Sequence, residues 1–147
     1  MAEQVFPEPT VGTFIFNKVG ELLLLKSHKW PGKYVVPGGH VEFEEDASTA
    51  LKREIKEETG ADVANTQFIG AWENFFLQKH EVNLVFEANL ASPDIKNLED
   101  HIETMWVPLE EFKKARVLPV GLQDKVVQWM GDREVFFGEE KDARRFV

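Results

Sequence analysis

The stretch Gly38–Ala61, GGHVEFEEDASTALKREIKEETGA, decides how this chain is read. A glycine pair opens it and Gly60 nearly closes it. Asp46 is placed to cap a helix start, because its carboxylate accepts from the first free N–H groups. Gly60 suits the position just past the helix end, where left-handed backbone costs glycine nothing. Between them Ala47, Ala50, Leu51 and Ile55 recur at helical spacing and form one apolar arc. Lys52, Arg53 and Lys56 fall outside that arc, toward water, whereas Glu54 and Glu58 fall inside it and Glu57 at its edge. Like charges three and four residues apart destabilise a helix by roughly 0.2–0.5 kcal/mol per pair. Three carboxylates turned toward the protein body are therefore a local violation of the kind expected at functional sites. For EIKEE taken alone, a solvated acidic face is the competing reading.

The wider pattern separates the two. From Gly39 the residues follow G-x5-E-x7-R-E-U-x-E-E-x-G-U, where U is aliphatic: Gly39, Glu45, Arg53, Glu54, Ile55, Glu57, Glu58 and Gly60 all match. Ala61 departs, being smaller than the usual aliphatic. This pattern is the Nudix box, and the chain resembles the Nudix hydrolase family. The resemblance implies an α/β Nudix fold, a mixed β-sheet sandwiched between α-helices, with the box as the loop–helix–loop at its centre.

Composition agrees with a globular fold of this size. The 147 residues suit one domain spanning 1–147, and 43% hydrophobic with 12% aromatic content argues against disorder. A net charge of -9 makes the chain a poor general partner for nucleic acid polymers or anionic membranes. With no cysteine there is no disulfide and no thiolate chemistry. The apolar run Leu22–Leu25 is far too short to span a bilayer, and the N-terminus lacks a signal-peptide pattern, so a cytoplasmic location is expected.

Along the chain, Thr10–Phe16 and Glu21–Lys26 read as a hairpin around Asn17–Gly20, followed by a loop at Ser27–Lys33 and a short strand at Tyr34–Val36. Val63–Trp72 reads as a strand that runs on toward Phe76, linked by a hairpin at Leu77–His80 to a second one. In that second strand Val82, Leu84, Phe86, Ala88 and Leu90 alternate with a mostly polar set, which predicts one buried face. An acidic loop at 91–100, a strand at Ile102–Val107 and a short helix at Leu109–Ala115 follow. A longer helix carries Leu122, Val126, Trp129 and Met130 and is expected to stop at Gly131, leaving a charged tail with Phe136 and Phe137 docked.

Clustered carboxylates without cysteine or a helix histidine make a hard oxygen site, which favours magnesium or manganese over zinc. Such a cation also reconciles an acidic site with an anionic pyrophosphate substrate. The resemblance assigns Glu54, Glu57 and Glu58 as metal ligands, completed by the carbonyl of Gly39, and makes Glu45 either a further ligand or a partner of Arg53, of which the Arg53 pairing is the one expected here. It leaves the general base open among Glu54, Glu99 and Glu103. The candidate catalytic set is thus Glu54, Glu57, Arg53 and Glu103. His28, Lys29 and Lys33, just before the box, are candidates to meet phosphate oxygens, and Trp30 and Trp72 to stack a base.

The activity implied is hydrolysis of the pyrophosphate link in a nucleoside diphosphate derivative, a small-molecule nucleotide. ADP-ribose pyrophosphatases of the family often carry proline where this chain has Leu77, and dinucleoside polyphosphate hydrolases tyrosine where it has Lys79. Nucleoside triphosphates, oxidised ones such as 8-oxo-dGTP included, are therefore the expected substrates, cleaved to monophosphate and pyrophosphate. ADP-ribose, nucleotide sugars and dinucleoside polyphosphates are the alternatives. A non-catalytic Nudix-fold nucleotide-binding regulator is the alternative of another class, and the resemblance also allows a homodimer.

Overall fold

The computed structural model describes residues 6–76, 78–92, 95 and 102–141. Its elements run β1 (Glu8–Phe16), β2 (Leu22–Ser27), β3 (Tyr34–Val35), β4 (Gly38–His40), α1 (Ala47–Thr59), β5 (Val63–Phe76), β6 (Lys79–Leu90), β7 (Ile102–Val107), α2 (Leu109–Lys114), α3 (Val120–Asp132) and β8 (Phe136–Glu140). The strands form one mixed sheet of order β3-β2-β1-β6-β5-β8, with β4 paired to β1 and β7 to β2. β1 runs parallel to β6, and β5 parallel to β8, while the other pairs are antiparallel.

The β1–β2 turn is built by Asn17, whose Oδ1 accepts from the N–H groups of Val19 and Glu21 at 3.1 and 2.8 Å. The two strands pair at Phe16↔Leu22 and then part, so β1 goes on to pair with β4 and β2 with β7.

Both sheet faces are covered. Alternate side chains enter opposite cores, as the two-residue repeat of a strand requires. Val11 and Ile15 of β1 and Leu23 of β2 pack with Ala50, Leu51 and Ile55 of α1. Phe14, Leu22 and Leu24 pack on the other side with Phe112 of α2 and Leu122, Val126 and Trp129 of α3. This explains the unbroken run Leu22–Leu25: in a strand sandwiched between helices no position faces water. Full burial of one such side chain stabilises by about 1.5–3 kcal/mol.

Three expectations are corrected. β6 does not bury one face only, because Val85, in the mostly polar row, is fully buried in the α3-side core, while Leu84, Phe86 and Leu90 are half-buried on the α1 side. α3 does not stop at Gly131; it runs to Asp132, and Arg133 takes the left-handed cap at φ 60°. The charged tail is not merely docked, since Phe136–Glu140 form β8, placing Phe136 against the core and leaving Phe137 exposed.

Candidate active site

Helix α1 is fixed at both ends by its own sequence. Asp46 Oδ1 accepts from Thr49 N at 2.7 Å, and this backbone bond holds the Asp46 carboxyl below its ordinary value. Gly60, at φ 72°, donates its N–H to the carbonyl of Lys56. The apolar arc of Ala50, Leu51 and Ile55 sets the helix rotation. Glu54 and Glu58 are thereby carried toward β4, while Lys52, Lys56 and Glu57 remain exposed.

Arg53 does not face water as its helical angle suggests. Its side chain is 24% exposed and reaches back over the loop that precedes the helix. Nε donates to Glu45 Oε2 at 2.8 Å and Nη2 to Glu45 Oε1 at 3.0 Å, a two-point grip on one carboxylate. Nη2 also donates to the His40 carbonyl at 3.0 Å. Nη1 donates to Glu54 Oε1 at 2.9 Å and Glu57 Oε2 at 3.4 Å. The bond from Arg53, and then the one from the Glu42 N–H, lowers the Glu45 carboxyl to about 2. Reciprocally, the Glu45 bond raises the Arg53 guanidinium above its already high value. Loop, strand and helix are thus tied through one side chain.

β4 completes the arrangement. Gly39 lies opposite Val11 of β1, on the face covered by α1, and a Cβ there would overlap the Glu54 carboxylate. Glycine is needed for this close approach. Glu58, largely buried, accepts the Gly38 N–H at 2.9 Å. The helix glutamates are not all gathered on one point. Glu54 and Glu57 meet the same guanidinium nitrogen, while Glu58 turns to the β4 backbone. Among the described residues, the group of three histidine or carboxylate side chains with ligand atoms within 4.8 Å of one another is Glu8, His40 and Glu81. The α1 set nonetheless fits a divalent cation. Its donors are hard carboxylate oxygens, two of them already share one cationic group, and bare Gly39 lets the Glu54 carboxylate lie against the β4 backbone.

Beside β4 lies a cleft of about 330 Å³, lined in part by Gly38, Gly39 and His40. Of the substrate-binding candidates, Lys29 and Trp30 line it. His28 does not; it lines a second cleft, together with Glu103. Glu103 sits on β7 opposite Lys26, so the structure separates it from the cleft beside Gly39. Lys33, half-buried, closes a turn by donating its N–H to the Trp30 carbonyl. Glu99 lies outside the described residues.

Trp72 is corrected outright. It is 3% exposed in the α3-side core, and a Cβ on Gly121 or Gly138 would overlap its ring, so it has no face free to stack a base. The sequence reading missed Thr10, Asn74 and Asn83, which line the cleft. Their signal was a polar residue in an otherwise buried strand, and it needs the strand register to be read.

Comparison with known proteins agrees with this geometry. A region of the NudC NAD-capped RNA hydrolase of Pseudomonas aeruginosa is 37% identical over 92 residues, which is 61% of this chain but 32% of that protein. A putative 8-oxo-dGTP diphosphatase, YtkD of Bacillus subtilis, is 34% identical over 105 residues, covering 69% of this chain and 63% of that one. The chain thus spans less than two thirds of either relative. The crystal structure of a MutT protein from Methanosarcina mazei superposes with a TM-score of 0.74 at 28% identity, covering 89% of this chain and 99% of that one. The NUDIX domain family model matches residues 6–130, the span that holds the clamped carboxylates and the cleft, and the chain belongs to that family.

Proposed function

We propose that this protein is a magnesium-dependent pyrophosphohydrolase acting on a nucleoside triphosphate, with oxidised purine nucleotides within its range. The observation that carries the reading is Arg53 gathering Glu45, Glu54 and Glu57 beside bare Gly39, which itself lines a cleft sized for a small molecule. Glu54, Glu57 and Glu58, with the Gly39 carbonyl, would hold the cation. When bound, a divalent cation supplies charge neutralisation between these carboxylates and the phosphate oxygens.

The chain's own residues do the rest. Arg53 and Glu45 keep the box loop in place, so the helix that carries the carboxylates stays fixed against it. Lys29, on the cleft wall, meets phosphate oxygens. Glu54, beside Gly39, is placed to take the proton of the attacking water, whereas Glu103 faces another cleft. Water adds to a phosphorus of the anhydride, the bridging P–O bond breaks, and nucleoside monophosphate and pyrophosphate leave. The resemblance to a protein described as an 8-oxo-dGTP diphosphatase supports this substrate class. The net charge of -9 supports a small nucleotide over a nucleic acid polymer.

The test is a panel of nucleoside triphosphates (8-oxo-dGTP included), ADP-ribose, a nucleotide sugar and a dinucleoside polyphosphate, with products resolved. Pyrophosphate release from triphosphates is expected. Turnover of only the other three, or of none, would overturn the reading, and the last result would point to a nucleotide-binding regulator.

A further inference from the structure

The cleft beside β4 carries two carboxamides that the hydrolytic site does not use. On β6, Asn83 lies opposite Trp72 of β5 and Thr10 of β1; on β5, Asn74 lies opposite Glu81 of β6 and Glu140 of β8. Residues directly opposite share a face, and diagonal neighbours stand about 7–8 Å apart, within reach of one ligand. Asn74 and Asn83 are such a diagonal pair, on the α3 side of the sheet, opposite the face covered by α1.

Asn83 is held by one hydrogen bond that leaves its amide nitrogen free, and Asn74 has its carbonyl oxygen unpaired. Thr10 Oγ1 donates to Asn83 Oδ1 at 3.2 Å. This bond occupies the carbonyl and leaves the Nδ2 donor without a partner among the described residues. Next to it, a Cβ on Gly12 would lie 3.3 Å from Asn83 Nδ2, so a bare backbone keeps room around that amide. Asn74 is 6% exposed and lines the same cleft, yet its Oδ1 has no hydrogen-bond partner. A buried carbonyl left unpaired is costly and calls for an explanation. Half-buried Trp30, with the Lys29 ammonium 5.3 Å from its ring centre, lines the same cleft and adds apolar surface to it.

From this geometry we infer that Asn74 and Asn83 are specificity-determining residues that read the hydrogen-bonding edge of a nucleobase. Asn83 Nδ2 donates to a ring carbonyl or ring nitrogen, and Asn74, whose enclosed carbonyl turns into the cleft when a base is present, accepts from the adjoining N–H. The base lies in the cleft while its phosphates reach past β4 to the carboxylates of α1. This inference rests on the proposed nucleotide substrate, but it is tested by binding alone, so that failed hydrolysis and failed base recognition are told apart.

The experiment is calorimetric titration of the full chain with the four common nucleoside monophosphates and with ribose 5-phosphate, in magnesium. The parent should bind at least one monophosphate more than about tenfold tighter than ribose 5-phosphate, a preference that two hydrogen bonds and one stacked ring supply. Asn83→Asp keeps the shape and the Thr10 bond but removes the donor. The added charge weakens binding of both phosphate-bearing ligands, so the readout is the ratio of monophosphate to ribose 5-phosphate affinity, which should fall about tenfold. Asn74→Ala should act in the same direction, and because Asn83 is less buried, Asn83→Asp decides the matter if Asn74→Ala fails to fold. A parent that binds ribose 5-phosphate as tightly as every monophosphate would overturn the inference. So would an Asn83→Asp variant that keeps the parent's preference.

Discussion

Replacing Gly39 by alanine tests the closest contact in the site. The added Cβ would overlap the Glu54 carboxylate, nearer than real Cβ contacts come. The carboxylate ends a flexible side chain, so it yields before the backbone of β4 does. Moving off its rotamer costs about 0.5–1.5 kcal/mol. It also gives up the 2.9 Å bond from Arg53, a charge-assisted contact of a type contributing about 1.5–3 kcal/mol. Glu54 is 17% and Arg53 24% exposed, so water recovers part of that loss. The net destabilisation is about 1–3 kcal/mol, a melting shift of roughly 3–10 °C for a chain of this length. The catalytic loss should be far larger, on the order of a hundredfold in kcat/KM, because a displaced Glu54 removes preorganised charge at the reacting phosphate. Initial rates at 25 °C in saturating magnesium, beside thermal melts, separate the two effects. A folded Gly39→Ala protein with kcat/KM within roughly threefold of the parent, a difference below 1 kcal/mol, would refute the placement of Glu54.

Three further outcomes are expected. Glu57 is 55% exposed, so Glu57→Gln should melt within about 0.5 kcal/mol of the parent without metal yet lose on the order of a hundredfold in turnover; a variant keeping most of its activity would remove Glu57 from the ligand set. The Glu45 carboxyl sits at about 2 against an ordinary 4.5, so its ionised form stabilises the fold fully above 4.5 and ceases to as pH falls toward 2. Glu45→Gln should therefore show a shallower fall in melting temperature across that window, and identical slopes would dismiss the clamp. Gly131, inside α3, has no atom within 4 Å of an added Cβ, so Gly131→Ala should stabilise by about 0.5–1 kcal/mol, seen as a higher melting temperature.

Helix α1 was legible because its determinants are local: Asp46 and Gly60 cap it, and its apolar arc sets its rotation. Arg53 was half legible. Its pairing with Glu45 followed from the resemblance, while helical angle alone pointed it to water; a long side chain can fold back over a loop that the helix wheel does not contain. β8 was hidden because its pairing with β5 is non-local and parallel. Gly131 misled because glycine marks a helix end only when the following backbone turns left-handed there, and here Arg133 takes that role. Trp72 could not be assigned to core or cleft from strand periodicity, since both lie on the same face of the sheet; the space left by Gly121 and Gly138 decides it. Asn74 and Asn83 meet only through register, which no short window of sequence contains.

The most direct test of the central claim is the rate of pyrophosphate release from a nucleoside triphosphate, measured first in excess chelator and then across a magnesium titration. Carboxylates facing an anionic substrate predict no turnover in chelator and full recovery on adding magnesium. An undiminished rate after exhaustive chelation would contradict the assignment of Glu54, Glu57 and Glu58 as the cation-holding core of the site.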